Sequence, residues 1–342
     1  MRRRTAKAVV LLAAVILLAG LAAAALRLWY VYVTPVPGPA GVDKVVLDVE
    51  KGSGVRRVAT ELARAGVVRS PWPLLFGYKV SSRGRSVKAG EYEFAFPLAP
   101  REALRMLVEG RVRLYLLTVP EGLTGPEVGD ILARHDFVSD GGFAAAFRNV
   151  ALIADWDPAA DDLEGYLFPD SYSVPRGTST ADVVADMVAE FRRVNDEGRR
   201  RRAAELRLTV REVVTLASLI EEETALPEER PRVAAVFHNR LRLGMKLDCD
   251  PTIIYAMRRD GTYRGRLLKK DLDYPSPYNT YRRAGLPPGP ICSPGLTSLD
   301  ATLHPAVDDS LYFVARGDGS HVFNRSLRDH QEAVRRFQLQ NR

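Results

Sequence analysis

Residues 8–26 carry no charge and are almost all Ala, Val, Leu or Ile. These 19 residues are enough to cross the hydrocarbon core of a bilayer as one helix. Beyond Pro35, Pro37, Gly38, Pro39 and Gly41 the pattern changes to short alternating and helical phrases. Val45, Leu47 and Val49 alternate as in a strand, Gly52-Ser53-Gly54 turns the chain, and Val55, Val58, Ala59, Leu62 and Ala63 follow at helical spacing up to Gly66. The phrase returns 70 residues later: Leu117, Val119, Gly122, Val128, Leu132, Ala133 and Arg134 match Leu47, Val49, Gly52, Val58, Leu62, Ala63 and Arg64. Two copies make an internal strand–turn–helix repeat, not a solenoid. Between them, residues 88–94 predict a strand, and residues 100–107 a helix with proline in its first turn that ends near Gly110.

The second half is centred on residues 213–224. Val213, Leu216, Ala217 and Ile220 keep the i, i+3, i+4, i+7 rhythm of one buried helical face, and three residues further that face reaches Glu223. Glu222 turns about 100° away, toward water, and Glu221 falls on the flank of Val214 and Ser218. A carboxyl on an apolar stripe is desolvated, its pKa rises, and it becomes a candidate general acid. The plain alternative is a helix-end carboxylate paired with Arg230 or Arg240. Helices are predicted over 180–194, 228–243 and 326–340, a further segment starts at Asp250-Pro251-Thr252, and the charge run 197–202 reads as a solvated helix end or loop. Residues 163–172 are aromatic-rich, suited either to core or to stacking on sugar rings. Four prolines and three glycines in residues 285–295 exclude helix and central strand, and so constrained a loop points to function. Residues 311–315 and 321–324 form a hairpin around Gly317-Asp318-Gly319.

Composition narrows this picture. With 342 residues the chain holds about two domains and an anchor, and 46% hydrophobic with 27% charged residues excludes general disorder. Arg2, Arg3, Arg4 and Lys7 precede the apolar run and only Arg27 follows closely, so the N-terminus is expected in the cytoplasm and the remainder outside. Trp29, Tyr30 and Tyr32 then fall where an interfacial aromatic belt belongs. A cleaved signal peptide is the competing reading, with Ala22 to Ala25 as the cleavage region. The net charge of +7 suits acidic glycan, anionic lipid or nucleic acid, but no nucleic-acid motif accompanies it. Cys249 and Cys292 are the only cysteines and make either a disulfide or two separate buried thiols. No metal-ligand spacing, nucleophile elbow, phosphate loop or dinucleotide fingerprint is present, which leaves carboxylate acid–base chemistry without metal or cofactor as the enzymatic reading.

The phrases 217–224 (Ala-Ser-Leu-Ile-Glu-Glu-Glu-Thr), 236–241, Asp250-Pro251-Thr252, Tyr278-Asn279-Thr280-Tyr281 and 285–291, in this order, resemble the endolytic murein transglycosylase (YceG-like) family over essentially the whole chain. The resemblance implies an α+β protein: a cytoplasmic tail at 1–7, a transmembrane helix at 8–28, a linker at 29–43, a small LysM-like α/β module at 44–115 and a mixed α/β catalytic domain at 116–342. It implies a single-pass protein of the inner or plasma membrane that cuts nascent peptidoglycan strands internally and leaves 1,6-anhydromuramic ends, in the company of wall-synthesis proteins. The family's catalytic glutamate falls on Glu223. Glu221 is a supporting residue, and Asn279, Tyr281 and Asp250 are substrate-binding candidates. Cys249 departs from the small polar residue usual before Asp-Pro, a change expected not to touch the acid. Two other readings stand beside this one: a hydrolytic muramidase using Asp250 or Glu221 as second carboxylate, and a non-catalytic peptidoglycan-binding scaffold.

Overall fold

The computed structural model describes residues 2–81, 85–139 and 141–339. The fold is mixed α+β and divides into two compact units, residues 1–115 with 173–177, and residues 116–172 with 178–342.

The first unit begins with α1 (Arg2–Val33), whose apolar side chains from Val9 to Leu21 stand exposed. Residues 7–33 are long and apolar enough to cross a membrane, so the helix continues five residues into the stretch expected as linker. Tyr32 is already part of the unit's core: it packs where a Cβ at Gly77 would collide with its ring. Strand β1 (Lys44–Val49) pairs antiparallel with β2 (Gly90–Ala95) in the register Lys44↔Ala95 to Val49↔Gly90. Helices α2 (Val55–Arg64) and α3 (Pro71–Ser81) lie between them in sequence and α4 (Pro100–Glu109) follows. Helix α4 starts on Pro100 and stops at Gly110 in the left-handed conformation (φ 78°), the usual proline-in, glycine-out asymmetry. Val58, Leu62, Leu74, Tyr92, Phe94, Ala103 and Leu107 are sealed in one apolar core.

The second unit is largely helical: α5 (Gly125–Ala133), α6 (Phe143–Phe147), α7 (Thr180–Val194), α8 (Glu197–Glu205), α9 (Val210–Glu223), α10 (Arg230–Arg242), α11 (Asp250–Arg259), α12 (Leu296–Leu303) and α13 (Leu327–Val334). Strands β3 (Leu114–Thr118) and β5 (Ser171–Pro175) pair, as do the short β4 (Val138–Ser139) and β6 (Thr178–Ser179), and β7 (Tyr312–Ala315) with β8 (His321–Asn324). The predicted repeat exists locally, since β1–turn–α2 and β3–turn–α5 have the same order and both turns hold a glycine at positive φ, Gly52 at 85° and Gly122 at 79°. The strands of the two copies belong to different sheets.

Two expectations are corrected here. The charge run is not a helix end or loop but its own helix, α8, because Asp196 caps it and Arg199 and Arg202 reach Asp300 and the Leu303 carbonyl of α12, while Arg200 and Arg201 stay exposed. The closing helix is regular only to Val334 and continues as a wider turn over Arg335–Leu339; residue 340 of the expected span lies outside the described residues.

Helix α9 is the axis of the second unit. A capping box between Thr209 and Glu212 starts it, and every residue from Val213 to Ile220 is buried. The sequence predicts a one-sided stripe, whereas the helix is enclosed all round, with Ser218 and Thr215 buried along with the apolar positions. The aromatic phrase is core over 163–169, with Leu163, Tyr166 and Leu167 fully buried, while Asp170 and Ser171 are exposed. Gly165 at φ 79° allows this packing, since a Cβ there would lie 2.5 Å from Pro290 and 2.8 Å from Val214. Gly165→Ala is therefore expected to cost roughly 2 kcal/mol or more, combining backbone strain and overpacking. The check is a fall in the denaturant midpoint without a change in slope.

Candidate active site

The loop 285–295 lies along α9 and is fastened to it at three levels. Arg211 Nε donates to the Pro288 carbonyl (2.7 Å), the Ile291 amide donates to Ser218 Oγ (3.1 Å), and the Gly295 amide donates to Glu221 Oε2 (2.9 Å). The turn at Gly122 joins the same loop, its amide donating to the Ser293 carbonyl and Ser293 N to the Leu123 carbonyl. Buried backbone donors need partners, and in a loop without helix or strand they come from side chains of α9 and from this turn.

The three consecutive glutamates at the end of α9 have three different environments. Glu221 is buried and forms an ion pair with buried Arg230 (2.7 Å), which also bonds Thr297 and lies 3.6 Å from Glu121. With one oxygen on Arg230 and the other on the Gly295 amide, Glu221 is a structural strut. Glu222 is exposed and stands at a cleft with Gly122, Thr124, Ile254, Tyr255, Arg258 and Ile291. A Cβ at Gly122 would come within 3.1 Å of its carboxylate. Partial desolvation raises its pKa, which Arg258 counters.

Glu223 is half-buried at the last position of the helix. Among the described residues it makes no ion pair: Arg230 is taken by Glu221, and Arg240 binds Asp248 and the carbonyls of Leu311, Lys246 and Leu247. Desolvation raises its pKa to about 7; Asp250 and Glu222 add to the rise, while a hydrogen bond from the Cys249 thiol opposes it. The carbonyl end of α9 also disfavours the charged form.

Cys249 is thus in contact with Glu223, contrary to the expectation that its departure leaves the acid untouched. It precedes α11 as cap residue, yet its thiol makes no capping bond to that helix. Its backbone is clamped by two buried hydroxyls, Thr280 Oγ1 accepting from its amide (3.0 Å) and Thr252 Oγ1 donating to its carbonyl (2.7 Å). Cys249 and Cys292 are both free and buried, so the disulfide alternative is not realised. The Cys292 thiol donates to the Ser218 carbonyl (3.5 Å).

Next to Cys249, the Asp250 carboxylate accepts from the Tyr281 hydroxyl (2.6 Å). The charge of Asp250 is felt at Glu223 and that of Glu223 at the Tyr281 hydroxyl, so the fold brings these three candidates together. Asn279 is different. It is buried, its amide donates to the Leu272 and Tyr274 carbonyls (both 2.9 Å), and its oxygen accepts from the Tyr281 amide (2.9 Å). Its polar atoms serve the loop, and its part is to hold Tyr281.

One further carboxyl, outside the residues predicted from sequence, is held in the interior. Glu164 is buried, its oxygens taking the Gly125 amide (2.9 Å) and the Tyr255 hydroxyl (3.3 Å). Burial pushes its pKa up to about 8. The signal was available, since an acid inside the apolar phrase Leu163 to Phe168 calls for the same reasoning as Glu223. Among the described residues no group of three or more potential metal-ligating side chains forms.

Glu164 makes stability depend on pH. The folded chain keeps its proton up to about pH 8, whereas an unfolded glutamate releases it near 4.3. Between these values the folded state binds more protons, so this contribution is complete below about pH 4 and is lost as pH rises to about 8. Compared with Glu164→Gln, the wild type is expected to lose stability from pH 5 to pH 8, with a slope of at most about 1.4 kcal/mol per pH unit. Urea midpoints of both proteins at the two pH values measure it.

Three kinds of relative carry the same arrangement of sequence. The model of the YceG-like family matches residues 47–336. The endolytic murein transglycosylase of Bacillus subtilis is 32% identical over 310 residues, covering 86% of this chain and 84% of that protein. The endolytic murein transglycosylase of Streptococcus pneumoniae D39 is 30% identical over 320 residues, covering 85% of this chain and 58% of its own longer one. A crystal structure of a yceG-like protein from Listeria monocytogenes superposes with a TM-score of 0.57 at 28% identity, covering 85% of this chain and 98% of that one. A match that spans both compact units, with the α9 acidic triplet and the loop fastened to it inside, places this chain in the YceG-like family.

Proposed function

We propose that this chain is an endolytic murein transglycosylase, held at the membrane by α1 and acting on peptidoglycan glycan strands through Glu223. The observation that carries the reading is the placement of Glu223: a carboxyl half-desolvated at the end of a buried helix, without an ion pair among the described residues, titrating at about 7 beside Asp250. The relatives' names supply murein as substrate and endolytic transglycosylation as the reaction.

Near neutral pH a fraction of Glu223 is protonated and donates to the oxygen linking N-acetylmuramic acid to N-acetylglucosamine. The resulting carboxylate accepts the proton of the muramic C6 hydroxyl as that oxygen attacks C1. The glycosidic bond breaks, a 1,6-anhydro ring closes, and no water is consumed. A single carboxyl serves as acid and then as base, which suits a pKa near the working pH. Tyr281 and Asp250 contact the sugar beside Glu223, and Asn279 acts by holding Tyr281. Glu221 supports the site by tying α9 to the loop through Arg230 and Gly295.

The finer assignments belong to the same reading. Residues 44–115 of the first unit, a two-stranded antiparallel sheet with helices α2 and α3 between its strands, serve as the LysM-like module that holds a strand. The arginines before the apolar run put the N-terminus in the cytoplasm and the glycan-cutting unit outside the inner or plasma membrane, where wall-synthesis proteins are its partners.

With uncrosslinked glycan strands and the full chain, wild type is expected to yield anhydro ends by mass spectrometry, and Glu223→Gln to fall by a factor of roughly 10² to 10⁴. Equal product from both proteins would exclude Glu223, Glu222→Gln would then be the next variant, and reducing ends would mean hydrolysis. The rate with wild type is expected to decline above about pH 7 as Glu223 loses its proton. Cys249→Ser supplies a stronger donor to the carboxylate, favours the charged form and is expected to move that alkaline limb to lower pH, read from kcat/KM against pH.

A further inference from the structure

The last turn of α1 does not end in open solvent. Trp29, Tyr32 and Val33 share a cavity with three arginines of the same unit, Arg85, Arg101 and Arg105. Tyr32 fixes the turn against the unit by packing over Gly77 and by hydrogen bonding between its hydroxyl and Ser81 Oγ (3.3 Å). The arginines are therefore held at a set height relative to the apolar helix, that of its aromatic end. Trp29 is 48% exposed and Tyr30 67%, side chains of the kind that lie at the headgroup level of a bilayer.

The charges lining the cavity are unbalanced. Arg105 pairs with Glu102. Glu109 is engaged by Arg111 at 2.6 Å. Among the described residues Arg85 and Arg101 form no ion pair. Leu104 and Val108 add apolar surface beside the guanidinium groups. Guanidinium groups match phosphate oxygens in a fork geometry, and the apolar side suits the glycerol and first acyl carbons of a lipid, which a free phosphate lacks.

We propose that this cavity binds the phosphate head group of an anionic membrane lipid, seating the first unit on the bilayer surface next to its own helix. Basic residues close to a membrane surface are drawn to anionic lipid, and here two unpaired ones stand at the end of the spanning segment. The proposal rests on α1 lying in a bilayer but not on the cutting reaction, so its test needs no activity.

Full-length chain in neutral detergent is mixed with phosphatidylglycerol, with phosphatidylcholine or with inorganic phosphate, and bound adducts are counted by native mass spectrometry. Phosphatidylglycerol is expected to be retained over phosphatidylcholine, and Arg85→Gln/Arg101→Gln to lower its retention by roughly tenfold. Both side chains are exposed, and a thermal melt checks that the variant folds. Arg85→Lys/Arg101→Lys is expected to restore part of the binding, since the charge returns without the fork. Equal retention of the two lipids would overturn the proposal, as would a folded glutamine variant that binds like wild type. Phosphate binding as strong as the lipid's would overturn the lipid assignment in favour of a soluble ligand.

Discussion

The second unit depends on burying α9 on every side while satisfying the polar groups that come with it. A helix satisfies its own backbone, but the loop 285–295 packed against it does not, and its amides and carbonyls need partners from elsewhere. Arg211, Ser218 and Glu221 provide them at successive heights of the helix. The result is a rigid rod with a rigid cover. That rigidity gives the acidic end of the helix a defined setting, and removing the Ser218 or Glu221 fastening would leave a buried or half-buried amide unpaired at considerable cost.

At that end, neighbouring positions in sequence are divided by function. Glu221 turns inward to Arg230 and is neutralised. Glu222 faces the cleft near Arg258. Glu223, one step further, meets Cys249 and the Asp250–Tyr281 pair and is left without a cation of its own. The nearest basic residues are occupied by other acids and by carbonyls, so desolvation of Glu223 is only partly offset, by the Cys249 thiol and by the more distant charge of Arg240. This division follows from 100° steps around a helix whose surroundings differ on each side. Cys249 then moderates the effect: a thiol is a weak donor and stabilises the carboxylate less than a hydroxyl would.

The internal repeat shows how one local phrase serves two purposes. Both copies form strand, glycine turn and helix. In the first copy the turn glycine, Gly52, has open space around it, while in the second, Gly122 abuts Glu222 and the turn bonds to Ser293. The glycine is required in both by positive φ, and only in the second does the absence of a side chain make room for a functional group.

Periodicity and composition by themselves determined the apolar N-terminal helix, the β1–α2 and β3–α5 phrases, the helices around 180–194 and 228–243, the β7–β8 hairpin and the position of Glu223 near a buried face. These are consequences of local patterning, which a chain carries at every position. Tertiary structure alone decided the rest. That α9 is enclosed all round, that Glu221 is a strut and Asn279 a loop fastening, that Glu164 is a second buried acid, and that Cys249 touches Glu223 all depend on residues 7 to 91 positions apart meeting in space. The α8 charge run shows the same limit, since its arginines look solvated until Asp300 and Leu303 are brought beside them. A side chain's period states which way it points, and only the packed partner states what it meets there.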